Sequence, residues 1–388
     1  MYDLRVSAYR IISSDGARSR LADVAGQLAA TGALVVTSPT FEAEGAILQQ
    51  VLDGLAGLPA GASSFTGVRP HSPLEVVTEG VERARQLGAD LLVSLGGGSS
   101  VDTAKGIAWY AGKQDPSRRL RHIAIPSTLS GAEFTEDAGI TVAGRKRVHR
   151  SAELIPDVVI LDPGVLATAG IDLLSRSAMN AMAHCFEGLV SVDASPMSQA
   201  YHIHALRLLS RGAAELIAVR EGTRPQPSSG ALEALQGGAA LAAMHQVRMG
   251  VGHVLVHSMA GLATAPHAVL HGTVAPVALA FNAPYAGEGA ALIAEALADG
   301  SHDHYEDPAR AAVDLVINLT RSLGACTGIG QLGIPEQQVS ELAARVVADT
   351  DLRGSIHPVA GPATIERLLG AAWEDTRALL VNYPQAGS

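Results

Sequence analysis

"LLVSLGGGSSVDTAKGIAWYA", Leu91 to Ala111, passes from an apolar run through three glycines into residues with helical spacing. A short apolar run suits a strand covered on both faces, so the stretch reads as strand, turn and helix. Gly96, Gly97 and Gly98 let the main chain turn sharply and approach a ligand with no Cβ in the way. Ser99 and Ser100 can cap the next helix or bond an anion. A helix N-terminus offers N–H groups and a positive partial charge, which favours a phosphate or pyrophosphate. Asp102 and Lys105 fall in the first turns, Lys105 placed to reach such a ligand and Asp102 to orient it or bond a ribose or amide. The spacing meets neither GxGxxG nor GxxxxGKS/T, and an ordinary glycine turn uses the same residues.

The flanking segments repeat the pattern. "GALVVTSPT" (Gly32–Thr40) reads as a buried strand, and "PLEVVTEGVERARQLGAD" (Pro73–Asp90) as a helix with Val76, Val77, Val81 and Ala84 on one side. "RHIAIPSTLSG" (Arg121–Gly131) is a strand that breaks at Pro126. Its Ser127, Thr128 and Ser130 either line the same crevice or form a polar turn. Strands separated by helices imply a parallel sheet with helices on both faces. After "IPDVVILDP" (Ile155–Pro163) the pattern turns long, Ala/Leu-rich and helical, with one loop-like patch at Arg220–Gly230. A Rossmann-like α/β domain over 1–163 and an all-helical domain over 164–388 follow, with the ligand expected in the cleft between them.

Composition narrows the class. The 388 residues are 47% hydrophobic and 17% charged, enough apolar material for two packed domains. A formal net charge of −10 excludes the basic footprint of a nucleic-acid binder. Two cysteines, Cys185 and Cys326, give no disulfide framework, and no signal-peptide core or membrane-spanning apolar run is evident. A soluble, cytoplasmic protein with no membrane partner is expected.

Polar residues inside apolar helices point to chemistry. "SAMNAMAHCFEG" (Ser177–Gly188) sets Asn180 and His184 one helical turn apart on one face. "GVGHVLVHSMAGLATAPHAVLHG" (Gly250–Gly272) holds His253, His257, His267 and His271. One such histidine suits ordinary core packing, but burying this many imidazoles without work for them is costly. With His184 they form a set of ligands suited to zinc or iron, or of acid–base groups.

These segments occur together, and in this order, in a known family. "GGGSSVDTAKGIA", "IPSTLSGAEFT", "IPDVVILDP", "MNAMAHCFEG" and "HVLVHSMAGLATAPHAVLHG" resemble the iron-containing (group III) alcohol dehydrogenases. Within that family the chain resembles the maleylacetate reductase branch at Asn180, "PHAVLH", "RPHSP" around His71, and "AFNAP" (Ala280–Pro284). The resemblance implies the dehydroquinate synthase-like, iron alcohol dehydrogenase fold, with NADH or NADPH as cofactor and a homodimer. It implies that Gly96, Gly97, Gly98 and Ser99 hold the pyrophosphate beside Asp102 and Lys105, with Thr128 on the adenosine-ribose side. It maps a metal quartet for iron or zinc onto Asn180, His184, His253 and His267, and places His257 beside the nicotinamide as proton relay.

Departures from the family pattern sharpen the expectation. Asn180 stands where most relatives carry aspartate, a neutral and weaker ligand, and in the reductase branch this replacement goes with activity independent of added metal. Ala132 and Ala260 stand where serine and glycine are common. "TSPT" after the second strand lacks the acidic residue that bonds the NAD 2′-hydroxyl, so either NADH or NADPH is accepted. The implied reaction is hydride transfer to a small carboxylate-bearing enone or ketone, maleylacetate giving 3-oxoadipate, with His184, His253, His257 and His267 stabilising charge. Lys146 and Arg150 in "AGRKRVHR" (Ala143–Arg150), otherwise a solvated turn between strands, or Arg248, would anchor the carboxylate. Metal-dependent alcohol or aldehyde dehydrogenases, a dehydroquinate synthase-type lyase, and a nucleotide-binding homologue without catalysis are the rival classes.

Overall fold

A computed structural model of the chain describes residues 10–116, 119–244, 247–259, 262–265, 267–298 and 305–381. Its first compact unit comprises Arg5–Gly170 with Ser228–Gln236. Six strands pair in parallel there, in the order β1 (Ile11–Ser13), β8 (Val158–Leu161), β5 (Arg121–Pro126), β4 (Leu91–Gly96), β2 (Ala33–Thr37) and β3 (Ala62–Phe65). Central β4 sets Val93 beside Val35 of β2 and Ile123 of β5. Parallel neighbours require crossovers. The helices Leu74–Leu87 and Gly98–Gln114 supply those entering and leaving β4.

Alternation of side chains along the strands builds two cores. Val35, Val93 and Ile123 pack on one face with Leu21, Val51 and Leu55. Leu34, Val36 and Leu92 pack on the other with Val77, Val81 and Ile107 of the two crossover helices. Burial of each such side chain contributes about 1.5–3 kcal/mol, which is why β2 and β4 read as continuous apolar runs rather than alternating ones.

The segment Ala143–Arg150 differs from the expected turn. Only Ala143 and Gly144 form the turn, both with positive φ (49° and 76°), as a two-residue hairpin requires. The residues after it are strand β7 (Arg145–Arg150), antiparallel to β6 (Asp137–Val142). Lys146, Arg147 and Val148 are exposed, so this strand carries no buried apolar stripe to reveal it.

Two polar ties fix the loops at the sheet's edge. Asp162, fully buried, accepts from the N–H groups of Gly16 (3.3 Å), Arg18 (3.0 Å) and Gly164 (2.9 Å), and from the Arg18 guanidinium (2.8 Å). Lys105 Nζ, also fully buried, donates to the carbonyls of Ala132 (2.6 Å), Thr135 (2.6 Å) and Asp137 (2.8 Å), stapling the loop after β5 to the Gly98–Gln114 helix. Glu133 in that loop is buried too. Burial raises its carboxyl to about 7, against its own backbone N–H and the pull of Lys105.

The second unit contains Ile171–Pro227 and Gly237–Ser388. Among its described residues there is no strand beyond an isolated bridge between Ser191 and Ser355. Its helices include Ile171–Leu189, Pro196–Arg220, Val251–Met259 and His267–Ala286. Val254, Leu255, Leu270, Val277, Ile365 and Leu369 belong to its core. Ser228–Gln236 groups with the sheet, although a single boundary near Asp162–Ala167 puts it with the helices. The Gln236 amide donates to the Asp162 carbonyl (3.4 Å). No helix among the described residues is long and apolar enough to cross a membrane.

Replacing Asp162 by alanine leaves three N–H groups and a guanidinium without their acceptor. A loss of about 3 kcal/mol in the free energy of unfolding is expected from urea titration. Glu133 gives a pH test. Its carboxyl holds its proton up to about 7 in the folded chain, against 4.5 as the ordinary value. Between those pH values the folded state binds more protons than the unfolded one, so this residue's contribution to stability falls as pH rises. Glu133→Gln should flatten that part of the stability–pH curve; an unchanged slope contradicts the assignment.

Candidate functional site

The glycine turn joins β4 to the helix Gly98–Gln114, whose N-cap residue Gly97 brings no side-chain cap. Gly96 has φ +141°, a backbone region that L side chains rarely adopt, and a Cβ there would lie 2.4 Å from Ser100 Oγ. Cβ atoms on Gly97 and Gly98 would meet Thr128 and Ser130 at 3.0 Å each, so the two hydroxyl residues after β5 flank the turn. Ser72, with φ +45°, donates to the Ser99 carbonyl (3.0 Å) and receives the Thr103 hydroxyl (3.1 Å). An uncapped helix start, cleared of Cβ atoms and bordered by hydroxyls, fits a pyrophosphate.

The two charged residues on this helix behave differently from each other. Lys105 does not extend toward the turn, because its ammonium is held by three main-chain carbonyls; burial lowers its pKa to about 8 against the attraction of Asp102, Glu133 and Asp137. It ties the segment Ala132–Asp137 to this helix rather than reaching past it. Burial raises the Asp102 carboxyl to about 6, opposed by Lys105, Lys146 and a Gly139 N–H. Of the proposed carboxylate anchors, Arg150 pairs with Asp137 through two nitrogens (2.7 and 2.9 Å), and Arg248 pairs with Asp193 (3.2 Å). Lys146 lies on exposed β7, within the field of Asp102.

The helical unit gathers the histidines. His184 comes from Ile171–Leu189, His253 and His257 from Val251–Met259, and His271 from His267–Ala286. The rings of His184 and His253 have centroids 4.4 Å apart, and their Nε2 atoms face each other at 3.4 Å. His271 lies 4.9 Å from His253 and 6.4 Å from His184. His257 lies 6.3 Å from His253, edge to face, and is exposed. Burial pushes the His184 imidazole well below the usual histidine range, with His253, His202 and His257 adding to the shift. Its Nδ1 is buried without a hydrogen-bond partner. Asn180 is half-buried one turn before His184. The side chain of His267 lies outside the described residues.

Glu187 is the member that sequence spacing alone did not single out. It follows His184 by three residues on the same helix and is buried. Its carboxylate accepts from the N–H groups of Gly250 (2.7 Å) and His253 (2.9 Å), and lies 3.1 Å from His253 Nδ1. Burial opposes its ionisation, but His253 and the two N–H groups hold its pKa below the usual value. An acid in so apolar a helix was the available signal. A cavity of about 10 Å³, about one water in size, lies against Glu187, His253 and His271 with Phe186, Val256 and Val274 in its wall.

Two imidazole nitrogens bound to one tetrahedral zinc at 2.0–2.1 Å would be about 3.4 Å apart. The His184–His253 pair therefore fits a metal ion in spacing, with Glu187 as the carboxylate that commonly supports a ligating histidine. The described residues hold no group of three His, Cys, Asp or Glu side chains able to bind a metal. The other two members of the expected quartet are neutral Asn180 and His267.

Residues 8–163 match the family "Iron-containing alcohol dehydrogenase", and residues 175–373 match "Fe-containing alcohol dehydrogenase family, C-terminal". Maleylacetate reductase 1 of Cupriavidus pinatubonensis is 30% identical over 344 residues, 87% of this chain and 88% of that protein. Maleylacetate reductase of Burkholderia cepacia is 30% identical over 92% of each chain. The crystal structure of maleylacetate reductase from Agrobacterium tumefaciens is 27% identical, covers 96% of this chain and 98% of its own, and superposes with a TM-score of 0.82. With a parallel nucleotide-type sheet, a separate helical unit bearing the histidines, and matches along nearly the whole length, the chain belongs to the iron-containing alcohol dehydrogenase family of oxidoreductases.

Proposed function

We propose that this oxidoreductase is an NAD(P)H-dependent reductase of a small carboxylate-bearing enone, converting maleylacetate to 3-oxoadipate. The observation that carries the reading is Asn180 beside the histidine group, in a chain whose relatives over most of its length include maleylacetate reductases. A neutral amide in place of a carboxylate weakens the grip on a divalent cation, which leaves imidazoles to handle the charge that develops during reduction.

A nicotinamide held in this site would supply the hydride for an electrophilic carbon of the enone double bond. The electron pair then displaced toward the substrate carbonyl becomes an enolate, which N–H donors stabilise. His184 and His267 serve that role beside His253, and His257 gives the proton that completes the reduction. Gly96 to Ser99 would hold its pyrophosphate, with Thr128 and Ser130 bordering it. Lys146 is the candidate for a substrate carboxylate, since Arg150 and Arg248 are already committed to Asp137 and Asp193.

The facing Nε2 atoms of His184 and His253 favour a second reading, a metal-dependent alcohol or aldehyde dehydrogenase. The two readings part experimentally. NADH consumption should proceed with maleylacetate, change less than twofold after exhaustive chelation, and be negligible with simple aldehydes. Turnover of aldehydes alone, abolished by chelation, selects the second reading.

Two variants test the assigned roles. His257→Ala should lower kcat by about 10²–10⁴-fold, the usual contribution of a general acid, with KM for NADH little changed. Full kcat in that variant removes His257 from the chemistry. Gly98→Val, whose side chain would crowd Ser130 and the phosphate path, should weaken NADH binding by at least about tenfold, or roughly 1.4 kcal/mol, measured by fluorescence titration. Unchanged affinity would place the pyrophosphate elsewhere.

A further inference from the structure

Glu187 reaches across from the helix Ile171–Leu189 to the start of the helix Val251–Met259. Its Oε2 accepts from the Gly250 N–H and faces His253 Nδ1, while Oε1 accepts from the His253 N–H. Ser355 Oγ takes the Val251 N–H (2.8 Å), completing a cap built from distant residues. Gly252 makes room for it, because a Cβ there would lie 1.8 Å from Oε1 and overlap the carboxylate.

An ionised carboxylate accepts hydrogen bonds and gives none, so the proton of a neutral His253 ring resides on Nδ1. Nε2 is then left with its lone pair, directed at His184 Nε2. In this form His253 Nε2 can receive a proton or a cation but cannot donate a proton. From this geometry we propose that Glu187 is a positioning residue for the reaction. It fixes the tautomer of His253, and it anchors the helix from which His253 and His257 project. The proposal rests on the preceding reading only in taking those two histidines as groups of the reacting centre. It also narrows the proton donor, since a neutral His253 locked in this tautomer is removed from the candidates that include His257.

The test is made on the full-length, nitrogen-15-labelled protein without substrate. Long-range proton–nitrogen correlation spectra report which ring nitrogen carries hydrogen, with His253 assigned by comparison with His253→Gln. The wild type should show His253 protonated at Nδ1 and bare at Nε2. Glu187→Ala, and independently Gly252→Ala, which displaces the carboxylate from the opposite side, should bring in the Nε2–H form. Both should lower kcat about 10–100-fold, the usual cost of losing a supporting carboxylate, with KM for NADH changed less than twofold. If Glu187→Ala does not fold, the wild-type tautomer and Gly252→Ala decide. A wild-type Nε2–H ring, or variants that keep both the Nδ1–H form and full kcat, overturns the proposal. Because the tautomer is read without substrate, a wrong substrate leaves this result standing, and a wrong role for Glu187 leaves the substrate assay standing.

Discussion

A carboxylate removed from water must find donors, and Glu187 finds them in the first turn of another helix. That one requirement organises the histidine half of the molecule. It sets where Val251–Met259 begins, and so where His253 and His257 project one turn apart. It requires glycine at 252, and Ser355 crowds residue 250 to within 2.7 Å of where a Cβ would stand. Leaving the N–H groups of this buried helix start without their acceptor would cost about 1–3 kcal/mol each. The chemistry and the stability of the unit thus draw on the same contact.

The sheet unit solves the opposite problem with the same helix-end physics. Val251–Met259 starts on a carboxylate and a serine from its own unit, which take the N–H groups of Gly250, Val251 and His253. Gly98–Gln114 starts with no side-chain cap, and glycines clear the approach to it. One end is closed by the protein, and the other is left in a form that suits an anionic ligand. Lys105, the cation nearest in sequence to that open end, is withdrawn into three carbonyls. The phosphate site proposed there would rely on main-chain groups and hydroxyls, beside the loop that Lys105 holds.

Features that depend on neighbours in sequence were legible in the sequence. The apolar runs of β2, β4 and β5, the glycine turn, and the i, i+4 spacings of Asn180–His184 and His253–His257 all express local geometry. Features that depend on distant partners were not. The acceptors of Lys105 lie 27 to 32 residues away, and those joined to Glu187 lie 63 to 66 away. Strand β7 escaped notice because an exposed, charged strand shows no apolar alternation, and β3 because its half-buried "ASSF" has little apolar content. Composition alone could not tell an arginine free for substrate from one paired with Asp137 or Asp193.

Among the histidines proposed for the reacting centre, His184 shares its helix face with an amide, Asn180. Glu187 engages the His253 N–H and lies 3.1 Å from its Nδ1, so it orients an imidazole instead of adding an anionic ligand. Metal affinity at this site therefore turns on the charge at position 180. Its most direct test is the zinc affinity of the purified wild type against Asn180→Asp, measured by competition with a chromophoric chelator. Restoring the carboxylate should tighten binding by at least about tenfold, as ligand chemistry at a divalent centre requires. Equal affinity in the two proteins would contradict the proposal that a neutral residue 180 weakens the grip on a metal.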